Sequence, residues 1–211
     1  MLQFVREIPI RIVIQGALSA RRGFLFHVAA GFSGEVDPLS GMSVNLMLVD
    51  QWLWSLKKDL ENDIFQATSE SFNHTFAEIM AIARLRLTED ATEQGVHLAS
   101  LTFREERGAT FSWNQEMSPE EMTFTSFQFI ECLPKDKEFQ LLRLGFQWHR
   151  VQGCEADYAH ESFRILKSLS YGDAAGLYAK LLDFVGVKLE SGSSLLSVSV
   201  ENLEDSSKVI L

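Results

Sequence analysis

Apolar and polar positions alternate with two different periods along this chain. Residues 3–17 carry Val5, Ile8, Ile10, Ile12 and Ile14, a β-branched run that predicts a strand. Pro9 has no amide hydrogen to give a ladder, so it predicts an edge or a bulge there. Residues 23–36 predict a second strand, ending in the turn Asp37-Pro38-Leu39-Ser40-Gly41. From Asn45 to about Asp63 the period changes. Leu46, Val49, Leu53, Leu56 and Leu60 recur at three and four residues, as on one face of a helix. Asn45 is placed to cap that helix, because its side-chain oxygen can accept from a free amide of the first turn. A second helix is predicted from Ser71 to Leu87, with Phe72, Phe76, Ile79, Ile82 and Ala83 on its apolar face. Strand signals return at His97–Arg104 and Ala109–Trp113, around a turn at Glu106-Arg107-Gly108.

Residues 114–121 are polar, contain Pro119 and read as a linker. The order of elements then repeats. Strands are predicted at Met122–Leu133 and Glu138–Val151, with a turn over residues 134–137. Helices follow at roughly Ala156–Leu169 and Asp173–Val185, and short strands at Leu195–Glu201 and Lys208–Leu211. Each half is strand–strand–helix–helix–strand–strand. The stretch Leu98-Ala99-Ser100-Leu101-Thr102-Phe103 resembles Leu195-Leu196-Ser197-Val198-Ser199-Val200, which supports an internal duplication.

Composition narrows the partners. The chain has 211 residues, 46% hydrophobic and 23% charged, enough apolar material for a core. Its net charge of −10 opposes nucleic acid and anionic membrane surfaces, and neither half is a basic arm. No apolar run reaches the length of a membrane-spanning helix. The N-terminal stretch alternates apolar and charged residues, unlike a secretory signal. Two cysteines, Cys132 and Cys154, are too few for a disulfide framework and read as a buried small residue or a surface thiol. The expected location is the cytoplasm.

The segment Gly34-Glu35-Val36-Asp37-Pro38-Leu39-Ser40-Gly41-Met42-Ser43-Val44-Asn45-Leu46 resembles a stretch of the 6-pyruvoyl- and 6-carboxytetrahydropterin synthases. In that family a strand ends in Gly-x-Leu-Asp-Pro-x-Thr-Gly-Met-Val-x-Asp-Phe before the first helix. The resemblance covers about residues 1–113, and the second half matches in element order alone. It implies the tunnelling fold, whose subunits join their sheets into barrels. The expected architecture is therefore α+β: tandem tunnelling-fold (ββααββ) units, one over 1–113 and a divergent one over 122–211, with antiparallel sheets and helices on one face. Open strand edges imply a homo-oligomer.

The same resemblance implies that the family's chemistry is gone. Its zinc is held by three histidines, two of them in His-Gly-His early in the second strand. Here Arg22-Gly23-Phe24 stands at that place, and the earlier ligand pattern resembles Leu18-Ser19-Ala20 followed by Arg21. A guanidinium has no free lone pair to give a metal. His27 is an odd number of residues from Phe24 and belongs to the other face of the strand. The family's Asp–His relay maps onto Glu61 and Asn62, and an amide cannot move the proton an imidazole moves. The cysteine expected shortly before the His-Gly-His position is missing, so no cofactor and no catalytic residue is expected. One feature matches: Leu101-Thr102-Phe103-Arg104-Glu105 resembles the family's Val-x-Val-x-Glu, which makes Glu105 a candidate anchor for the N–H edge of a pterin- or purine-like ring. The other reading of Glu105 is a solvated carboxylate at a hairpin end, beside Glu106 and Arg107. The second half has Asn202 at the matching place.

His74, His97, His149 and His160 form no close metal-ligand spacing. Arg21 and Arg22 could hold an anion or form surface ion pairs. Trp52 and Trp54 lie two apart on the first helix and cannot share a face, so one is expected in the core and the other at an interface. The sequence therefore supports two functions: a non-catalytic binding or assembly protein, or a metal-free enzyme acting on a ring anchored by Glu105.

Overall fold

A computed structural model describes residues 2–16, 21–35, 45–67, 72–106, 108–118, 121–132, 140–151, 162, 164–165, 174–187, 194–202 and 208–210. The turns over 37–41 and 134–137, most of 156–169, Cys154 and His160 lie outside them. The protein is α+β, and it divides into two compact units, residues 1–122 and 123–211.

The first unit holds strands β1 (Leu2–Gln15) and β2 (Arg21–Gly34), helix α1 (Leu46–Asn62), β3 (Ile64–Gln66), helix α2 (Phe72–Thr92), β4 (Val96–Glu105) and β5 (Thr110–Asn114). Its strand order is β3-β1-β2-β4-β5. β1 and β2 pair antiparallel along their whole lengths without a register shift, from Leu2↔Gly34 to Gln15↔Arg21. Alternation then sends the even positions to one face: Ile10, Ile12, Ile14, Phe26, Val28, Ala30 and Phe32 are fully buried. Both helices cover that face. Phe76 of α2 meets Phe26 with ring centroids 4.8 Å apart, and Trp52 of α1 meets Phe32 at 5.6 Å. Asn45 caps α1 as its position suggests, its side chain accepting from the Met47 amide at 3.0 Å. Gly95, with φ of 70°, takes the left-handed conformation that turns the chain from α2 into β4.

Two apolar positions depart from the expected helix faces. Leu46 is 45% exposed, because it opens the helix ahead of the turns that touch the sheet. Ile82 is 55% exposed; the inward stripe of α2 runs through Phe76, Ile79, Met80, Ala83 and Leu87, and Ile82 lies off it. The second helix also runs on to Thr92, beyond the predicted Leu87. Strand β3 is absent from the sequence reading. Three residues are too short to show a period, and β3 exists because β1 offers it an edge, in parallel register at Val13–Gln15.

The second unit contains β6 (Glu121–Cys132, which begins two residues before it), β7 (Gln140–Val151), helix α3 (Ala174–Leu182), β8 (Ser194–Asn202) and β9 (Lys208–Ile210), in the order β6-β7-β8-β9. Ser162, Arg164 and Ile165 are helical. Its core includes Phe146, Trp148, Leu181 and Val198.

The central ladders of the two units share their register. β2 pairs with β4 from Phe26↔Glu105 to Gly31↔Ser100, and Ala99 then bulges out before Phe32↔Leu98. β7 pairs with β8 from Leu142↔Asn202 to Gln147↔Ser197, and Leu196 bulges out before Trp148↔Leu195. Six pairs precede the bulge in each. The next strands pair in the same phase, Arg104↔Thr110 in one unit and Glu201↔Lys208 in the other.

Candidate functional site

Period two on β2 places Arg22, Phe24 and Phe26 on the helix-covered face and His27 on the opposite one. Phe24 is packed, its ring centroid 5.4 Å from that of Phe72 and 4.8 Å from that of Phe76. The Arg22 guanidinium lies over the Phe72 ring at 5.4 Å, in cation–π geometry. The two positions that the resemblance aligns with zinc histidines therefore hold a phenyl ring in an aromatic cluster and a cation stacked upon it. Neither supplies a lone pair, and the residues present do not fit a zinc ion. Arg21 opens β2, and residues 18–20 lie outside the described residues. Among the described residues no three His, Cys, Asp or Glu side chains gather as a metal site.

On the opposite face, His27 Nδ1 lies 3.0 Å from Glu7 Oε1, and the Arg104 guanidinium reaches the same oxygen at 3.2 Å. All three side chains are more than a third exposed, so this is a solvated ion cluster. His97 is also exposed, on β4, and His149 lies on β7.

Glu61 and Asn62 have separate tasks at the end of α1. Glu61 turns to the edge of β1. In that strand the odd residues direct their backbone groups away from β2, toward the side that β3 covers only at residues 13–15. Glu61 Oε1 accepts from the Arg11 amide at 2.9 Å. Lys57, one turn earlier, donates to the Pro9 carbonyl at 2.6 Å and pairs with Glu61 at 3.2 Å. The two side chains stand in for a neighbouring strand over Pro9–Arg11, and the missing Pro9 amide costs no ladder bond because it too points outward. Burial works to raise the Glu61 pKa, but the Arg11 amide and the Lys57 ammonium outweigh it and hold the carboxyl below its usual range. Spacing alone identifies Lys57 and Glu61 as an i,i+4 pair; their backbone partners are 48 and 50 residues away, beyond any local signal.

Asn62 turns instead to a cleft of about 400 Å³ between α1, α2 and β3, floored by Leu56, Leu60 and Phe65. Ile82, off the buried stripe of α2, forms part of its wall. The cleft's guanidinium, Arg86, is held by Asp59 at 2.8 Å and reaches Ser55 Oγ at 3.3 Å.

Glu105 ends β4 on the helix-covered face, beside Phe26 and half-buried. Its backbone closes the hairpin, the Glu105 amide donating to the Ala109 carbonyl at 2.9 Å. A side-chain carbon added at Gly108 would stand 3.1 Å from Glu105 Oε2, so the carboxylate lies over its own turn and a larger residue there would press on it. Among the described residues it has no side-chain partner. Arg22, Phe24 and Glu105 thus share one end of one face, whereas Glu61 and Asn62 diverge. No protein-family model matches the chain, and no curated protein does.

Proposed function

We propose that this protein is a tandem, tetrahydropterin-synthase-like tunnelling-fold protein that has lost the zinc site and the acid–base relay and acts as a non-catalytic binding or assembly protein. The observation that carries this is the filling of the metal positions: Phe24 is locked against Phe72 and Phe76, and Arg22 is stacked on Phe72. The relay positions agree, since Glu61 is occupied as an edge cap. The matching bulges at Ala99 and Leu196, each six pairs from the end of its ladder, support the duplication. A thermal-shift screen with pterins and purines, with and without zinc, tests the reading. A ligand at a hundred times its Kd stabilises the native state by about 2.7 kcal/mol, so a functioning site is visible. Zinc-dependent stabilisation together with pterin turnover would sink it.

A second reading rests on Glu105. A half-buried carboxylate with no side-chain partner among the described residues, at the same end as Phe24, suits the N–H edge of a pterin- or purine-like ring, with no metal involved. Under this reading a ring compound raises the melting temperature of the wild type, and Glu105→Ala abolishes that rise. Unchanged binding by Glu105→Ala removes its basis.

A further inference from the structure

The cleft between α1, α2 and β3 involves neither the aligned zinc positions nor Glu105. Leu56 and Leu60 are buried beneath it, and with Phe65 and Ile82 they form an apolar bowl of about 400 Å³, within the usual range of small-molecule sites. The rim is polar and its charges are unequal. Arg86 is the cation of the lining, and its charge is already met by Asp59 at 2.8 Å and Asp90 at 4.0 Å. Asn62 and Asp63, also in the lining, have no hydrogen bond or ion pair among the described residues. They stand where α1 ends without a basic residue in its last turn, so the negative end of that helix is uncompensated. Other cations of the two helices are committed elsewhere, Lys57 to Pro9 and Glu61, and Arg84 over the ring of Trp113. Asp59, Asp63 and Asp90 thus face a single guanidinium, and the rim carries net negative charge.

The lining belongs wholly to the described stretches 45–67 and 72–106. Ala67 and Phe72, which flank the connection from β3 to α2, lie at the Gln15–Arg21 end of the sheet: the Ala67 amide donates to Gln15, and Phe72 sits beneath Arg22. Counted along α2 from Phe72, Ile82 is about 15 Å away and Arg86 about 21 Å.

We propose that this cleft binds a small organic cation, an amine carried on an aromatic or branched apolar body. The body fills the bowl over Leu60 and Phe65, against Ile82. The ammonium has three hydrogens to donate, and the end of α1 offers it the Asp63 carboxylate, the Asn62 side-chain oxygen and the closing carbonyls of the helix. A carboxylate on the same body is rejected, because it meets Asp63 and the negative helix end while Arg86 is engaged. A cation without the body gains little, because Asp63 is exposed and its charge is screened. Selectivity therefore needs both parts of the ligand.

2-Phenylethylamine is the probe, with phenylacetate and ethylamine as controls, in isothermal titration calorimetry of the full chain at low salt. One amine is expected to bind per chain, at least about tenfold more tightly than either control. Asp63→Asn should weaken it about fivefold. Ile82→Trp, which fills the bowl from its exposed wall, should abolish binding, and both variants should keep the circular dichroism of the wild type. Glu105→Ala should bind the amine as the wild type does, which separates this cleft from the ring reading of Glu105. If Ile82→Trp does not fold, Asp63→Asn decides. No binding of the amine, equal binding of phenylacetate, wild-type affinity in Asp63→Asn, or loss of binding in Glu105→Ala would each overturn the proposal.

Discussion

Beside the bulge at Ala99 stands Phe32, and beside the bulge at Leu196 stands Trp148; both are fully buried. The surroundings differ in chemistry. Phe32 is held by rings, stacked on Phe4 at 5.9 Å and tilted against Trp52 at 5.6 Å. Trp148 is held by a polar relay as well as by packing: its indole N–H donates to Ser162 Oγ at 3.2 Å, and Ser162 and Ser126 hydroxyls lie 2.9 Å apart. The bulge fixes where a large side chain must go, and the neighbours decide whether it brings a polar atom. Two ladders of the same register can therefore carry unlike side chains, since the two solutions share little except burial and a large ring.

Truncation breaks both solutions and has the largest expected effect. Phe32→Ala and Trp148→Ala should each cost about 3–5 kcal/mol in urea unfolding. Exchange of the two residues sharpens the comparison. Trp148→Phe should cost about 1–3 kcal/mol, because it leaves the buried Ser162–Ser126 pair without the indole donor. Phe32→Trp should cost a similar amount for the opposite reason, forcing an indole and its N–H into a ring-lined space. Equal, negligible costs for the two swaps would contradict the difference drawn here.

A smaller effect is expected at the β1 edge. Glu61→Gln should lower stability by about 0.5–1 kcal/mol at neutral pH, since its carboxylate is partly exposed. The folded pKa lies below the unfolded one, so the contribution is whole above the unfolded value and fades as pH falls through the folded one. Wild type and Glu61→Gln should therefore converge in acid; a gap that stays constant with pH would assign the loss to geometry instead of charge.

Much of this molecule is legible in its sequence where the signal is local. The period of Ile8–Ile14 and of Val49–Leu60 marks β1 and α1, and Asn45 marks the cap. Trp52 and Trp54 part as their spacing requires, one onto Phe32 and the other into solvent. What escapes the sequence depends on distant partners. β3 is made by the edge of β1, and Ile82, off the inward stripe of α2, walls a cleft against α1 and β3. In sequence Glu61 stands out only as a degenerate family position; in space it caps an edge, through Arg11, 50 residues away. The position of Glu105 beside Phe26 also needs the register of β2 against β4.

The most direct test of the central claim is the zinc content of the protein after equilibration with excess zinc and gel filtration. Under the proposed function, the packing of Phe24 and the stacking of Arg22 predict less than about one-tenth of a zinc per chain. One zinc per chain, released only by a strong chelator and with loss of stability, would contradict the account.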